Sequence, residues 1–589
     1  MTRTVNDLFY RVVDRHAPRV MLHRNGDRWT PISSRDLYRN TLGVSRKLLE
    51  WKIGKGDRIA ILSENRPEWA TADFAAMLLG AVVVPIYATL TPEQVAHLLR
   101  DSGSRVIFVS TQEQLDKVLA IRAHTPIEQV VVMDPIGTLD AVRMDLLMNS
   151  GPEDRDLAVD SLAQGITPED LATLLYTSGT TGIPKGVMLT HGNLACNFSC
   201  SLGEFEMPAG ASSVSFLPLS HITARHVDYA LLHSGVTLAY CPFLDKLPQA
   251  LQEVQPAIFV AVPRVYEKIR IQVEQTARSF AKRHILDWAL AVGREHRQET
   301  LAGIIPTAWS WSMADRIVFS QIRQGMGGKV TFYISGGAPL GRELAEWYAD
   351  AGIRIHEGYG LTETSPVIAV NTPKAHRLGT VGKPLANVEV RIAEDGEILV
   401  RGPSIFSGYW NMPKESAEAF TDGFFKTGDI GNLDADGYLS VTDRKKDLIK
   451  TSGGKFIAPQ PIEASLRNNP LIAEAVVIGE KRKFPATLIL PYFPLLEDWA
   501  HTNQVEFSSR ADLVREPRVQ ALYEGIVESI NENLARFEKL KKTIVLADEF
   551  SVSGGTLTPT LKMKRRAVEA RHMAEIDALY ASADRTSGE

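Results

Sequence analysis

The feature that most constrains this chain is a recurring alternation of short apolar, β-branched runs with stretches of helical spacing. RIAILSE (58–64), AVVVPIY (81–87), RVIFVS (105–110), QVVVMD (129–134) and AIFVAVP (257–263) each read as a strand buried on both faces of a sheet. PEQVAHLLRDSG (92–103) and ELAEWYADAG (343–352) carry helical spacing and end at glycine, which closes a helix without a Cβ clash. Strands alternating with helices predict a mainly parallel α/β architecture. After about residue 380 the texture changes. VEVRIAEDGEILVRGPSIFSGYW (388–410) and DADGYLSVTDRKKDLIK (434–450) contain Asp-Gly pairs at 395–396 and 436–437, which predict tight turns between short strands. Beyond Lys450 the pattern is again mixed α and β. The expected organisation is a large α/β N-terminal domain over 1–445, with a β-rich subdomain at about 380–442, and a smaller α+β C-terminal domain over 446–589.

Length and composition narrow the class. At about 150 residues per domain, 589 residues make three or four domain-sized units. A net charge of -5 argues against a dedicated nucleic-acid binder. Cys196, Cys200 and Cys241 form neither a disulfide framework nor a zinc spacing, and suit a reducing compartment. The N-terminus, MTRTVNDLFYRVVDRHAP, has no apolar core followed by a cleavage site. The longest apolar stretch, FAAMLLGAVVVPIY (74–87), is shorter than the ~20 residues of a spanning helix and predicts a buried helix running into a core strand. The expectation is a soluble cytoplasmic protein, at most peripheral at a membrane.

The most informative motif is YTSGTTGIPKGVMLTHGN (176–193). It follows the apolar run LATLLY and sets hydroxyls, glycines and a lysine ahead of a helix start. Such a loop can turn backbone N–H groups, hydroxyls and an ammonium toward phosphate oxygens. It is not a Walker A loop, and the chain has neither a GxSxG elbow nor a GxGxxG βαβ fingerprint. Three further segments are weaker alone. YISGGAPL (333–340) reads as a tight strand connection. HEGYGLTETSP (356–366) lacks the second His of a zinc motif, because position 360 is Gly. DRKKDLIK (443–450) reads as a solvated charged turn.

In this order and company, the motifs resemble the adenylate-forming superfamily of acyl-CoA synthetases, peptide-synthetase adenylation domains and luciferases, and within it the long-chain fatty acyl-CoA synthetases. The resemblance runs from Asn6 to Tyr580. FLPLSHITARHVDY (216–229) and PRVYEKI (263–269) point to the fatty-acid branch, with His221 bordering the acyl pocket. The resemblance implies ATP-dependent ligation of a fatty acid to coenzyme A through an acyl-AMP. It places the ATP phosphates on Thr177, Ser178, Gly179, Thr180, Thr181, Gly182 and Lys185, with Thr181 and Lys185 in the catalytic set. Gly337, Ala338, Gly358, Tyr359 and Gly360 would line the adenine and acyl pockets, and Thr362 would meet phosphate. Glu363, with Thr177, would hold Mg²⁺, a hard cation suited to carboxylate, phosphate and water oxygens. Asp429 would take the ribose hydroxyls, Arg444 ribose or phosphate, and Lys450 a place near the nucleotide. Lys446 would be the hinge of a mobile C-terminal domain. That domain carries the catalytic lysine in LTPTLKMKRRAVEARH (557–572), aligned to Lys562 with Lys564 as the alternative register, and a thiol-tunnel loop at Gly453–Gly454. Lys481, Arg482 and Lys483 are a candidate patch for CoA phosphate, against a solvated turn. The rival reading is a fatty acyl-AMP ligase loading a carrier protein; such relatives commonly bear an insertion near this boundary, and none is evident between Thr442 and Lys455.

Overall fold

The structure, a computed structural model, describes residues 2–26, 28–178, 184–277, 279–452, 455–551, 554–557 and 563–586. All five apolar runs form strands. Arg58–Leu62, Val82–Ile86, Val106–Val109 and Gln129–Val132 lie mutually parallel in a seven-stranded sheet; Ile258–Ala261 lies in a second sheet of nine strands. The second sheet is parallel through its centre, where Ile258–Ala261, Phe332–Ser335 and Ile355–Gly360 run side by side, and turns antiparallel at both edges.

The two-residue period of a strand explains why these runs are apolar throughout. Ile59, Ile61 and Val83 join one core, while Ala60, Leu62 and Val84 join another on the opposite face. In the second sheet Ile258 and Val260 enter that same shared core, and Phe259 and Ala261 face a third. Helices Val5–Val13, Ser34–Glu50, Pro67–Leu78, His191–Ser201 and Ile222–His233 contribute to the shared core between the sheets. The stretch at 74–87 is the end of helix Pro67–Leu78, a turn with Gly80 at φ 69°, and strand Val82–Ile86. Among the described residues no helix is long and apolar enough to cross a membrane.

Burying Pro67–Leu78 on all sides forces Asp73 into the core. Arg225 compensates it: its Nε donates to Asp73 Oδ2 at 3.1 Å, its Nη2 to Asp73 Oδ1, and its Nη1 to Thr173 Oγ1 at 2.9 Å. Tyr229 completes the cluster through Asp73. A buried charge pair of this kind is tolerable because nearly every donor and acceptor is satisfied.

The β-rich unit is an antiparallel five-stranded sheet of Glu389–Ile392, Glu397–Arg401, Phe420–Thr421, Phe424–Leu433 and Leu439–Arg444. Both Asp-Gly pairs fall in its turns, with Gly396 at φ 84° and Gly437 at φ 81°. The C-terminal unit is α+β. Strands Ile472–Ile478, Ala486–Pro491 and Thr543–Val545 form its sheet, and its own core includes Leu466, Val476, Leu488 and Tyr523.

Candidate active site

One continuous cleft of about 4390 Å³ is lined by residues of both large sheets, the β-rich unit and the C-terminal unit. Strands Leu171–Ser178 and Pro184–Thr190, which contribute to its lining, form an antiparallel hairpin that sets Thr177 opposite Lys185. Its tip lies outside the described residues, and with it Gly179, Thr180, Thr181, Gly182 and the side chain of Ser178. Lys185 does not lead directly into a helix, as the motif alone suggested. It stands on a strand, and the helix begins at His191 behind a capping box of Thr190 and Asn193.

The edge of this hairpin is extended by residues 407–410: Met188 N donates to Gly408 O at 3.1 Å and Trp410 N to Gly186 O at 2.7 Å. Gly186 permits the approach, since a Cβ there would stand 3.2 Å from the Trp410 Cβ. The pairing delivers Tyr409 to the cleft. Lys185 Nζ stands 4.9 Å from the Tyr409 ring centroid, a cation–π distance, and the Tyr409 hydroxyl donates to Glu363 Oε1 at 3.0 Å. Glu363 occupies a short turn, Thr362–Thr364, just past strand Ile355–Gly360. Burial raises its pKa despite the Tyr409 hydrogen bond. A carboxylate so placed is stabilised by any cation brought to it.

The second constellation is built across two sheets. Asp429, on Phe424–Leu433, pairs in register with Arg444 on Leu439–Arg444. Arg444 Nε is 3.2 Å from Asp429 Oδ1, and Tyr359 OH donates to Asp429 Oδ2 at 2.8 Å. The Asp429 N–H is held by Thr427 Oγ1 at 3.1 Å. Gly360 could be no other residue, because a Cβ there would lie 1.7 Å from Pro366 O.

Gly337, Ala338, Gly358, Thr362 and Lys446 also line the cleft, as does His221, whose Nδ1 caps helix Ile222–His233 by accepting from Thr223 N at 3.1 Å. Burial, and then Arg444, lower the Lys446 pKa. Lys450 is not brought to the cleft lining. It is exposed on the hairpin of Ile449–Lys450 and Phe456–Ile457, with Nζ 5.3 Å from the Phe456 ring, because the hairpin's buried partner positions are taken by Ile449 and Ile457. Arg482 is tied to Asp577 and lies 4.9 Å from the Tyr580 ring, a structural anchorage within the C-terminal unit. Lys562 and Gly453–Gly454 lie outside the described residues. Leu557 and Met563, which flank Lys562, form an antiparallel bridge and line the cleft with Lys564.

Sequence reasoning passed over two acidic-site residues. Tyr409 reaches Glu363 from 46 positions away, and no local pattern signals it. Glu357, inside the quoted HEGYGLTETSP, lines the cleft, and burial raises its pKa to about 7 despite a backbone N–H from Leu340. Among the described residues there is no group of three or more His, Cys, Asp or Glu able to hold a metal alone. The donor set at Glu363 and Thr177 therefore fits Mg²⁺ only in the form that ion favours with nucleotides, with few protein ligands and the remainder phosphate and water.

One cleft thus holds a lysine on a hairpin edge beside Glu363 and Tyr409, and a buried carboxylate bridged by Tyr359 and Arg444. The family description "AMP-binding enzyme" matches residues 9–410 and "AMP-binding enzyme C-terminal domain" matches 446–584, and the chain belongs to this family. It is 36% identical over 563 residues to the long-chain-fatty-acid–CoA ligase FadD15 of Mycobacterium bovis, covering 94% of this chain and 92% of that one. It is 33% identical over 618 residues to the long-chain-fatty-acid–CoA ligase ACSBG1 of Homo sapiens, covering 98% and 85%. The anthranilate CoA ligase AuaEII in complex with anthranoyl-AMP has the same fold, with TM-score 0.73 at 20% identity over 99% of this chain and 98% of that one. ATP-bound MatB from Rhodopseudomonas palustris matches with TM-score 0.70 at 23% identity, over 97% and 99%.

Proposed function

We propose that this protein joins a long-chain fatty acid to coenzyme A at the expense of ATP, by way of an acyl-adenylate, releasing AMP and pyrophosphate. The observation that carries this reading is one cleft with two chemistries. The Asp429–Tyr359–Arg444 and Glu363–Tyr409–Lys185 sets line it together with the apolar side chains of Leu247, Leu251, Val262, Ile269 and Val273. The relatives at 33–36% identity supply the substrate class.

A fatty carboxylate is a poor acyl donor because its oxygen leaves badly. Attack of that oxygen on the α-phosphorus of ATP expels pyrophosphate and leaves AMP as the leaving group; the CoA thiol then attacks the acyl carbon and AMP departs. No covalent enzyme intermediate is needed, so the protein's contribution is alignment and charge stabilisation. Asp429 and Tyr359 orient the nucleoside, with Arg444 beside them. Thr177, Lys185 and the loop 178–182 hold phosphates, Thr181 among them. Mg²⁺, on Glu363 and Thr177, would supply phosphate charge neutralisation when bound. Lys562 would place a cation between the carboxylate and the α-phosphate. In our division the N-terminal domain ends at 445, and the C-terminal domain, pivoting near Lys446, exchanges Lys562 for the Gly453–Gly454 loop between the half-reactions.

The test is product analysis with acids from acetate to oleate, with and without CoA. The proposal expects AMP, pyrophosphate and acyl-CoA in equal amounts, turnover only with CoA, and a preference for long acids. A single burst of pyrophosphate indifferent to CoA would move the assignment to a ligase that loads a carrier protein; no release with any acid would overturn it.

We place the protein in the cytoplasm with a peripheral contact to the bilayer from which such acids partition. Seven of the seventeen large, exposed hydrophobic side chains among the described residues fall within 280–317, including Phe280, Trp288, Ile305 and Trp309. Ile285 and Ile317 of this group also line the cleft, and Lys282, Arg283 and Arg316 lie exposed among them. Aromatic and aliphatic side chains with interspersed basic ones suit an anionic lipid surface. Flotation with phosphatidylglycerol vesicles, lost on replacing Phe280 and Trp309 by Asp, is expected; equal flotation of both forms would contradict the contact.

A further inference from the structure

Helix Pro263–Thr276 faces two ways. Ile269, Gln272 and Val273 line the cleft, while its first turn meets the C-terminal sheet. Arg264 makes that meeting. Its Nη1 donates to Glu267 Oε2 at 2.8 Å, one turn along its own helix. Its Nη2 donates to Ala473 O at 3.2 Å and stands 3.9 Å from Glu474 Oε1, both in strand Ile472–Ile478.

The strand is shaped for this contact. The ladder between Ile472–Ile478 and Ala486–Pro491 shifts register between Ile472 and Glu474. A bulged residue is left out of the ladder pairing, and its polar groups become free for other partners. Ala473 is that residue, and its carbonyl accepts from Arg264. The other oxygen of Glu474 lies 3.8 Å from Arg467 Nη1, so the carboxylate stands between one guanidinium of the N-terminal domain and one of its own. Two further contacts line the seam. Asn468 Nδ2 donates to Glu343 Oε2 at 2.6 Å, and Gln460 N donates to Asp443 Oδ2 at 3.1 Å, where helix Pro459–Arg467 has no cap from its own N-cap residue. In this arrangement Leu557, Met563 and Lys564 line the cleft.

We propose that Arg264 is a positioning residue: through Ala473 and Glu474 it holds the C-terminal domain in the orientation that sets Leu557, Met563 and Lys564 at the cleft for adenylation, and it lets go when that domain turns for thiol transfer. The inference rests on the two half-reactions proposed above. A rigid planar fork serves Glu267, a backbone carbonyl and Glu474 together, which a compact lysine ammonium does less well. The side chain is 36% exposed, and a pair open to solvent is weak enough to break once per turnover.

The test compares Arg264→Ala, Arg264→Lys and the wild-type chain in separate half-reactions. Arg264→Ala is expected to slow acid-dependent ATP–pyrophosphate exchange about fivefold, the effect of losing one partly exposed ion pair. Thioester formation from supplied acyl-adenylate and CoA should be unchanged or faster, and Arg264→Lys should recover part of the exchange. Without any substrate, trypsin should cut the Arg444–Lys445–Lys446 run several-fold faster in Arg264→Ala, with the melting curve unchanged. Equal loss of both half-reactions, or unchanged exchange and proteolysis, would overturn the role. If Arg264→Ala melts early, Arg264→Gln, which keeps a donor, takes its place in both assays. Absence of exchange in the wild-type chain would strike the ligase reading instead, and the trypsin comparison alone would then decide the latch.

Discussion

Glu357 stands in the cleft wall with its pKa raised by burial to about 7. An unfolded glutamate ionises near 4.5. Between pH 4.5 and 7 the unfolded chain therefore releases a proton that the folded chain keeps, and this group's contribution to stability falls as pH rises through that window. Above pH 7 a negative charge develops in the cleft and repels the carboxylate substrate. The KM for the acid should rise above pH 7, by up to about tenfold per unit if only the neutral form accepts substrate, and Glu357→Gln should flatten the rise. A KM profile identical in both enzymes would show that Glu357 does not face the acid. Asp73 makes a prediction of a different kind. It is buried with Arg225 and touches no part of the cleft. Asp73→Ala leaves a guanidinium stranded in the core and should cost about 3–5 kcal/mol. Denaturant unfolding checks this: a stability within about 1 kcal/mol of wild type would mean that the core had relaxed around the charge.

At the scale of elements, the strands were the most readable part of the chain. The five apolar runs became strands because sheets covered on both faces leave no polar positions. Asp-Gly at 395–396 and 436–437 marked turns because glycine tolerates the positive φ they need. What stayed hidden depends on contacts between distant segments. Arg225, in a segment that points to the acyl branch, is a core ion-pair partner, since only the packing of Pro67–Leu78 reveals the charge it must match. The charge run 443–450 divides, with Arg444 and Lys446 in the cleft and Lys450 outside it, because a short hairpin turns the last residue away. Tyr409 is delivered by pairing of 407–410 with the edge at 186–188, which no local period encodes. Its hydroxyl tests the Glu363 assignment. Tyr409→Phe removes one hydrogen bond to a carboxylate, about 1.5–3 kcal/mol, while leaving the ring beneath Lys185. The Mg²⁺ concentration for half-maximal rate should shift about tenfold or more, with Lys185-dependent nucleotide binding kept. An unchanged Mg²⁺ dependence would separate Glu363 from the metal.

For the whole molecule, one core binds the two large sheets and the β-rich unit together, and another belongs to the C-terminal unit alone. Separate cores joined through a narrow seam are what a domain rotation requires. The two half-reactions should then come apart under mutation. On the proposed role, Lys562→Ala would remove a cation from the developing charge at the α-phosphate, worth about 3–4 kcal/mol by analogy with an oxyanion donor, and should slow adenylation some hundredfold or more. Thioester formation from supplied acyl-adenylate should survive; equal loss in both steps would contradict alternation, and the same loss in Lys564→Ala alone would move the role to that residue. The most direct test of the central claim follows the oxygen atom. With a fatty acid labelled with ¹⁸O in its carboxyl group, ATP and CoA, attack of the carboxylate on the α-phosphorus leaves one label on AMP and none on pyrophosphate, and mass spectrometry of the nucleotide should show it. Label in inorganic phosphate with release of ADP would mean an acyl-phosphate route, and the acyl-adenylate account would fall.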